Sequence, residues 1–186
     1  VKIAVDPGHG GMFPGAIGNN PYVVHEKDVT LAICLALAKI LKKQGHKVIL
    51  TRNRDAHLAS DVTADLAQRA ETANAAHAQL FLSVHCNAYS DPNSEGIETC
   101  YFPGSPRSER LAQAVQEALL AKFKDHLNRG VKAKDLSMLQ RAAMPACWIE
   151  TEFLTNPKQL EFLMNERNQE AMAQAMAEGI KAYLAK

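Results

Sequence analysis

The sequence predicts an α/β fold: one domain built on a twisted, mainly parallel sheet of about six strands, with helices on both faces. Three observations lead there. Short apolar runs bounded by turn residues alternate with longer segments of helical periodicity. The chain has 186 residues, 47% of them hydrophobic and 22% charged, which is enough to bury one sizeable core. No internal repeat, low-complexity tract or break in composition divides it, so residues 1–186 are expected to form a single domain.

Taken in order, Val1–Val5 reads as the first strand. It breaks at Asp6-Pro7 into a loop to His25, rich in Gly, Pro and Asn and long for a compact domain; loops of that length tend to be functional. Glu26 opens a helix to about Gln44, with Leu31, Leu35, Leu37, Ala38 and Leu41 at helical spacing and Gly45 as its stop. Lys47–Thr51 is a strand and 53–60 a loop. Asp61–Ala76 is an Ala-rich helix, Gln79–His85 a strand, Asn87–Glu95 a polar turn region, and Gly96–Phe102 another strand. Ser105 or Ser108 caps a helix to about Lys124. Asn128-Arg129-Gly130 reads as a turn, Leu136–Leu139 as a short strand, and Ala146–Ile149 as a central strand. Asn156-Pro157 starts a short helix to Leu163, and a helix from about Arg167 to Leu184 comes last.

Composition excludes several functions. The formal net charge is +1, basic residues are dispersed, and Trp148 is the sole tryptophan, so no nucleic-acid surface is expected. No apolar run reaches membrane-spanning length, so no membrane insertion is expected. Val1 begins inside a strand pattern with no signal peptide ahead of it, as a mature or excised domain would. Cys34, Cys86, Cys100 and Cys147 form no CxxC pair and read as buried thiols.

Ligands of open α/β sheets bind outside the carboxyl ends of the strands. His9 follows the first strand, His85 ends the third, Glu150 ends the run Ala146–Ile149, and Glu26 starts a helix at the far end of the first loop. Each has an ordinary structural explanation: a turn histidine, a core histidine, a carboxylate paired with arginine, and an acid at a helix N-terminus. Together they place two imidazoles and two carboxylates on one sheet edge. Two histidines and a carboxylate are a usual ligand set for catalytic zinc, and a further carboxylate serves as general base.

The residues that carry this set also carry a resemblance. Asp6-Pro7-Gly8-His9-Gly10-Gly11, Glu26-Lys27-Asp28, Ser83-Val84-His85-Cys86-Asn87-Ala88, Gly96-Ile97-Glu98-Thr99 and Ile149-Glu150 with Phe153-Leu154-Thr155-Asn156 resemble, in order and spacing, the zinc-dependent N-acetylmuramoyl-L-alanine amidases of the Amidase_3 type. Thr51-Arg52, Arg69 with Asn74, and Arg129-Gly130-Val131-Lys132 match the family's secondary patterns. The resemblance spans almost the whole chain. It implies one zinc ion (Zn2+) on His9, Glu26 and His85, with Glu150 catalytic. It also implies hydrolysis of the amide between the lactyl group of N-acetylmuramic acid and L-alanine in peptidoglycan.

A monomer acting outside the cytoplasm, or a phage lysin, is expected, with any targeting domain or activator lying outside this chain. The competing readings are a zinc carboxypeptidase or other metallopeptidase, and an inactive wall-binding module. No HExxH motif occurs. Among further residues, Asn87 and Arg141 are candidate substrate contacts with simpler structural explanations. Glu152 stands where the family has glycine and, by strand alternation, shares a face with Glu150. Cys86 and His25 are alternative ligands. The short span from Asn87 to Glu98 leaves no room for the inserted helix that blocks the site in some family members, so an open site is expected.

Overall fold

Eight strands and six helices follow one another in the computed structural model, which describes residues 1–185. The main sheet is made of β1 (Lys2–Pro7), β4 (Lys47–Leu50), β5 (Leu80–Asn87), β6 (Ile97–Tyr101), β7 (Asn128–Ala133) and β8 (Ala146–Phe153). Their spatial order is β4-β1-β5-β8-β6-β7. The first four are mutually parallel, β6 runs antiparallel to β8, and β7 runs parallel to β6.

Helices cover both faces. On one side α1 (Glu26–Lys43), α3 (Pro106–Lys122), α5 (Pro157–Met164) and α6 (Glu166–Leu184) enclose the larger core with Ile3, Val5, Leu82, Val84 and Ile149 of the sheet. On the other, α2 (Val62–Ala75) and α4 (Ser137–Arg141) cover Ala4, Phe81 and Ala146. The alternation of inward side chains along β1 and β5 decides which residues meet which helices. Local signals fix the helix ends. Asp61 accepts from Ala64 N at 2.9 Å, Asn156 caps α5 through Lys158 N and Gln159 N, and Gly45 follows α1 with φ +86°.

The structure departs from the expected elements in three places. The number of sheet strands agrees, but one was misplaced: Asn128–Ala133 is strand β7, not a turn, and Leu136–Leu139 lies in α4 and its approach, not in a strand. Gly130, at φ +83°, sits beside a register shift between Ile97 and Glu98. A bulge in an edge strand thus carried the turn signal. Met138 and Leu139 are too short an apolar run to tell strand from helix by period, and burial against α2 decides it. The first loop holds a small antiparallel pair, β2 (Ile17–Gly18) with β3 (Val24–His25). No helix lies between β5 and β6.

Candidate metal centre and its surroundings

His9, Glu26 and His85 come together at the carboxyl end of β1 and β5. Each offers a ligand atom within 4.8 Å of the other two. Glu26 lies at the first residue of α1 and is 3% exposed. Its Oε1 accepts from Cys86 N at 2.9 Å and its Oε2 from Ala16 N at 2.7 Å. Its Oε1 also lies 2.9 Å from His85 Nδ1, and its Oε2 lies 3.1 Å from His9 Nε2.

The backbone is shaped for these side chains. His9 has φ +62°, an uncommon conformation for a non-glycine residue and one that concentrates at functional sites. A Cβ on Gly8 would strike the His85 ring, and one on Gly15, at φ +71°, would strike Glu26 and His9. These glycines make room for the three side chains themselves. Two buried arginines hold the loop. Arg52 donates to Pro7 O and Gly8 O, both at 3.0 Å. Arg69 donates to Pro7 O at 2.6 Å and His9 O at 2.7 Å.

A chain of hydrogen bonds orients His85. Asp6 is fully buried, and Arg69, Ser83 and Thr51 hold its carboxyl below the ordinary range against the cost of burial. Ser83 Oγ donates its one proton to Asp6 Oδ2 at 2.6 Å, so it accepts from His85 Nε2, 3.1 Å away. Nδ1 of the neutral ring then turns a lone pair on Glu26. Burial also disfavours the imidazolium. Lone pairs converging at this separation fit a shared cation, and two imidazoles with one carboxylate suit zinc.

Glu150 sits opposite His85 in the β5–β8 register. Its Oε1 accepts from Trp148 Nε1 at 2.7 Å, while its Oε2 is buried without a partner. Burial, reinforced by the charge of Glu26, pushes its pKa up to about 8; a cation at the neighbouring group would favour its ionised form. The Trp148 indole stacks on His85, with centroids 3.4 Å apart and planes within 9°. Beside them, Phe13, Pro14, Val62, Leu66 and Trp148 line a cleft of about 280 Å³ into which His9 and His85 open.

The other candidates fall elsewhere. His85 and Asn87 are two positions apart, but their β8 partners Glu150 and Phe153 are three apart. The extra residue is a bulge that breaks the alternation. Glu152 therefore does not join Glu150: it accepts from Gly96 N at 2.8 Å and lies 2.8 Å from His126 Nδ1. Cys86 Sγ contacts Thr151 Oγ1 at 3.5 Å, and His25 faces Asp28 at 4.0 Å. Asn87 accepts from Ala88 N, as a turn asparagine does. Arg141 lines a surface depression with Gln68 and Glu71. Sequence reasoning missed Asp6, Ser83 and Trp148 as site residues. Ser83 was within reach, because a residue two before His85 in a strand shares its face.

Comparison with known proteins identifies the family. The Amidase_3 family, N-acetylmuramoyl-L-alanine amidase, matches residues 3–182. The chain belongs to this family. It is 31% identical over 189 residues to the germination-specific N-acetylmuramoyl-L-alanine amidase of Bacillus subtilis, covering 97% of this chain and 78% of that protein. It is 35% identical over 185 residues to an endolysin of Bacillus phage SPP1, covering 97% of this chain and 65% of that protein. Among solved structures, the CwlD amidase of Clostridioides difficile, determined in complex with the GerS lipoprotein, superposes with a TM-score of 0.92 at 34% identity. That match covers 99% of this chain and 98% of the CwlD chain. Among the described residues, no helix is long and apolar enough to cross a membrane.

Proposed function

We propose that this Amidase_3 domain hydrolyses the amide between the lactyl group of N-acetylmuramic acid and L-alanine in peptidoglycan, using one zinc ion held by His9, Glu26 and His85. The observation that carries the reading is the buried, unpartnered Oε2 of Glu150 beside a converging His-Glu-His donor set. Buried carboxylate oxygens rarely go unpaired without a functional reason.

Bound zinc supplies Lewis acidity, polarising the scissile carbonyl and lowering the pKa of water to about 7. Glu150 accepts the proton of the attacking water at Oε2 and returns it to the departing alanine nitrogen. Trp148 holds Oε1, so the carboxylate keeps one rotamer while Oε2 works. Ser83 and Asp6 keep Nδ1 of His85 unprotonated and aimed at the ligand group. The apolar cleft beside Trp148 limits water around the reacting bond. The wall relatives support action outside the cytoplasm or as a lysin.

The test is digestion of purified wall by zinc-loaded protein. New L-alanine amino termini without new reducing sugar ends are expected. Release of terminal D-alanine would overturn the reading in favour of a carboxypeptidase, and binding without cleavage would overturn it in favour of an inactive module.

A further inference from the structure

Glu98, one strand over from Glu150, carries more positive charge than a single carboxylate needs. It is 2% exposed. Lys132 Nζ reaches its Oε2 at 2.5 Å, Lys134 Nζ its Oε1 at 2.6 Å, and Arg129 Nε its Oε2 at 3.4 Å. Among the described residues, none of the three cations pairs with another acid. The nearby Glu95 carboxylate is taken by Gln159.

The lysine side chains are 38% and 41% exposed and that of Arg129 is 34% exposed. An ammonium has three donors, and Glu98 occupies one on each lysine, so donors remain that face solvent. Strand register sets the direction. Glu98 is the Cα partner of Glu150, and Cys100 that of Lys132, so Glu98, Glu150 and Lys132 share one face of the sheet.

We infer that Lys132, Lys134 and Arg129 form a ledge that binds a free carboxylate of the stem peptide, with the peptide crossing from β8 towards β7. This rests on the amidase reading above. Two ladder steps separate β8 from β7, roughly 10 Å at about 4.8 Å per step. An extended peptide advances about 3.5 Å per residue, so the ledge faces the second or third residue after the lactyl carbonyl. The second residue of a wall stem peptide is a D-glutamate joined through its side chain, whose α-carboxyl is either free or amidated. The third is a diamino acid that in some walls carries another free carboxylate. Both offer the same chemistry. Glu98 supports the ledge by holding the cations in place, so the incoming carboxylate meets donors that are already ordered.

The experiment compares soluble muramyl tripeptides in two pairs: free against amidated at the second residue, and diaminopimelate against lysine at the third. Native zinc-loaded protein should favour the free carboxylate in one pair by roughly tenfold or more in kcat/KM, mainly through KM, as charged hydrogen bonds do. The pair that shows the preference identifies the residue bound. In Lys132→Met and Lys134→Met, checked for native melting, that ratio should fall towards one, and the Lys→Arg variants should keep it. Cleavage of every substrate without preference, or a preference surviving in both Met variants, overturns the ledge while the amidase reading stands. If native protein cleaves none of the substrates, both fail.

Discussion

Glu150 and Glu152 are two residues apart and chemically alike, yet they occupy unlike places. One leaves an oxygen unpartnered beside the histidines; the other spends its oxygens on Gly96 N and His126. Glu150→Gln is therefore expected to retain zinc and lose turnover by about 10²-fold or more, the usual contribution of a general base. Metal content and kcat measured together check this, and near-native turnover would remove the assigned role. Glu152→Gln should keep both metal and turnover, because its contacts lie away from the donor set. Ser83 gives a third expectation. Ser83→Ala frees His85 Nε2 and should weaken zinc binding by roughly 10- to 100-fold, as loss of a ligand's supporting hydrogen bond does. Competition with a chromogenic chelator reads that affinity, and unchanged affinity would show that packing against Trp148 suffices to orient the ring.

Between elements, Arg69 ties α2 to the end of β1. It pairs with Asp6 at 2.9 Å and Asp65 at 2.6 Å while donating to the carbonyls of Pro7 and His9. Arg69→Leu leaves a buried carboxylate without its cation and should cost about 3–5 kcal/mol, seen as a lower urea midpoint with an unchanged slope. Asp6 and Glu98 both have pKa values held below the ordinary carboxylate range by their cations and hydrogen bonds, against burial. A folded-state pKa below the unfolded one means stability that is complete above the unfolded value, near 4, and is lost as pH falls through the folded one. Thermal midpoints should thus drop as pH falls below about 4. A midpoint flat down to pH 3 would contradict that sign. The β8 bulge shows why local reading stopped short. Alternation is a rule for regular strands, and one extra residue after Glu150 reverses it.

For the whole molecule, zinc would join side chains from the loop after β1, from α1 and from β5, which the chain supplies from positions 9, 26 and 85. A ligand that binds only the folded state stabilises it by mass action, by about 2.7 kcal/mol at a hundredfold excess over Kd. Stripping the protein with a chelator should lower its melting temperature and abolish wall hydrolysis, and added zinc should restore both. Activity and melting indifferent to equilibrium chelation would refute the metal centre. The sequence by itself determined the α/β class and most element boundaries, and it singled out His9, Glu26, His85 and Glu150 as candidates, because period, turn chemistry and motif spacing are local properties of the chain. Tertiary structure alone decided that Asp6, Ser83 and Trp148 brace that set, that Asn128–Ala133 is an edge strand, and that Glu152 is turned away. Each of these depends on which strands pair and in what register, and register is set by burial across the whole sheet.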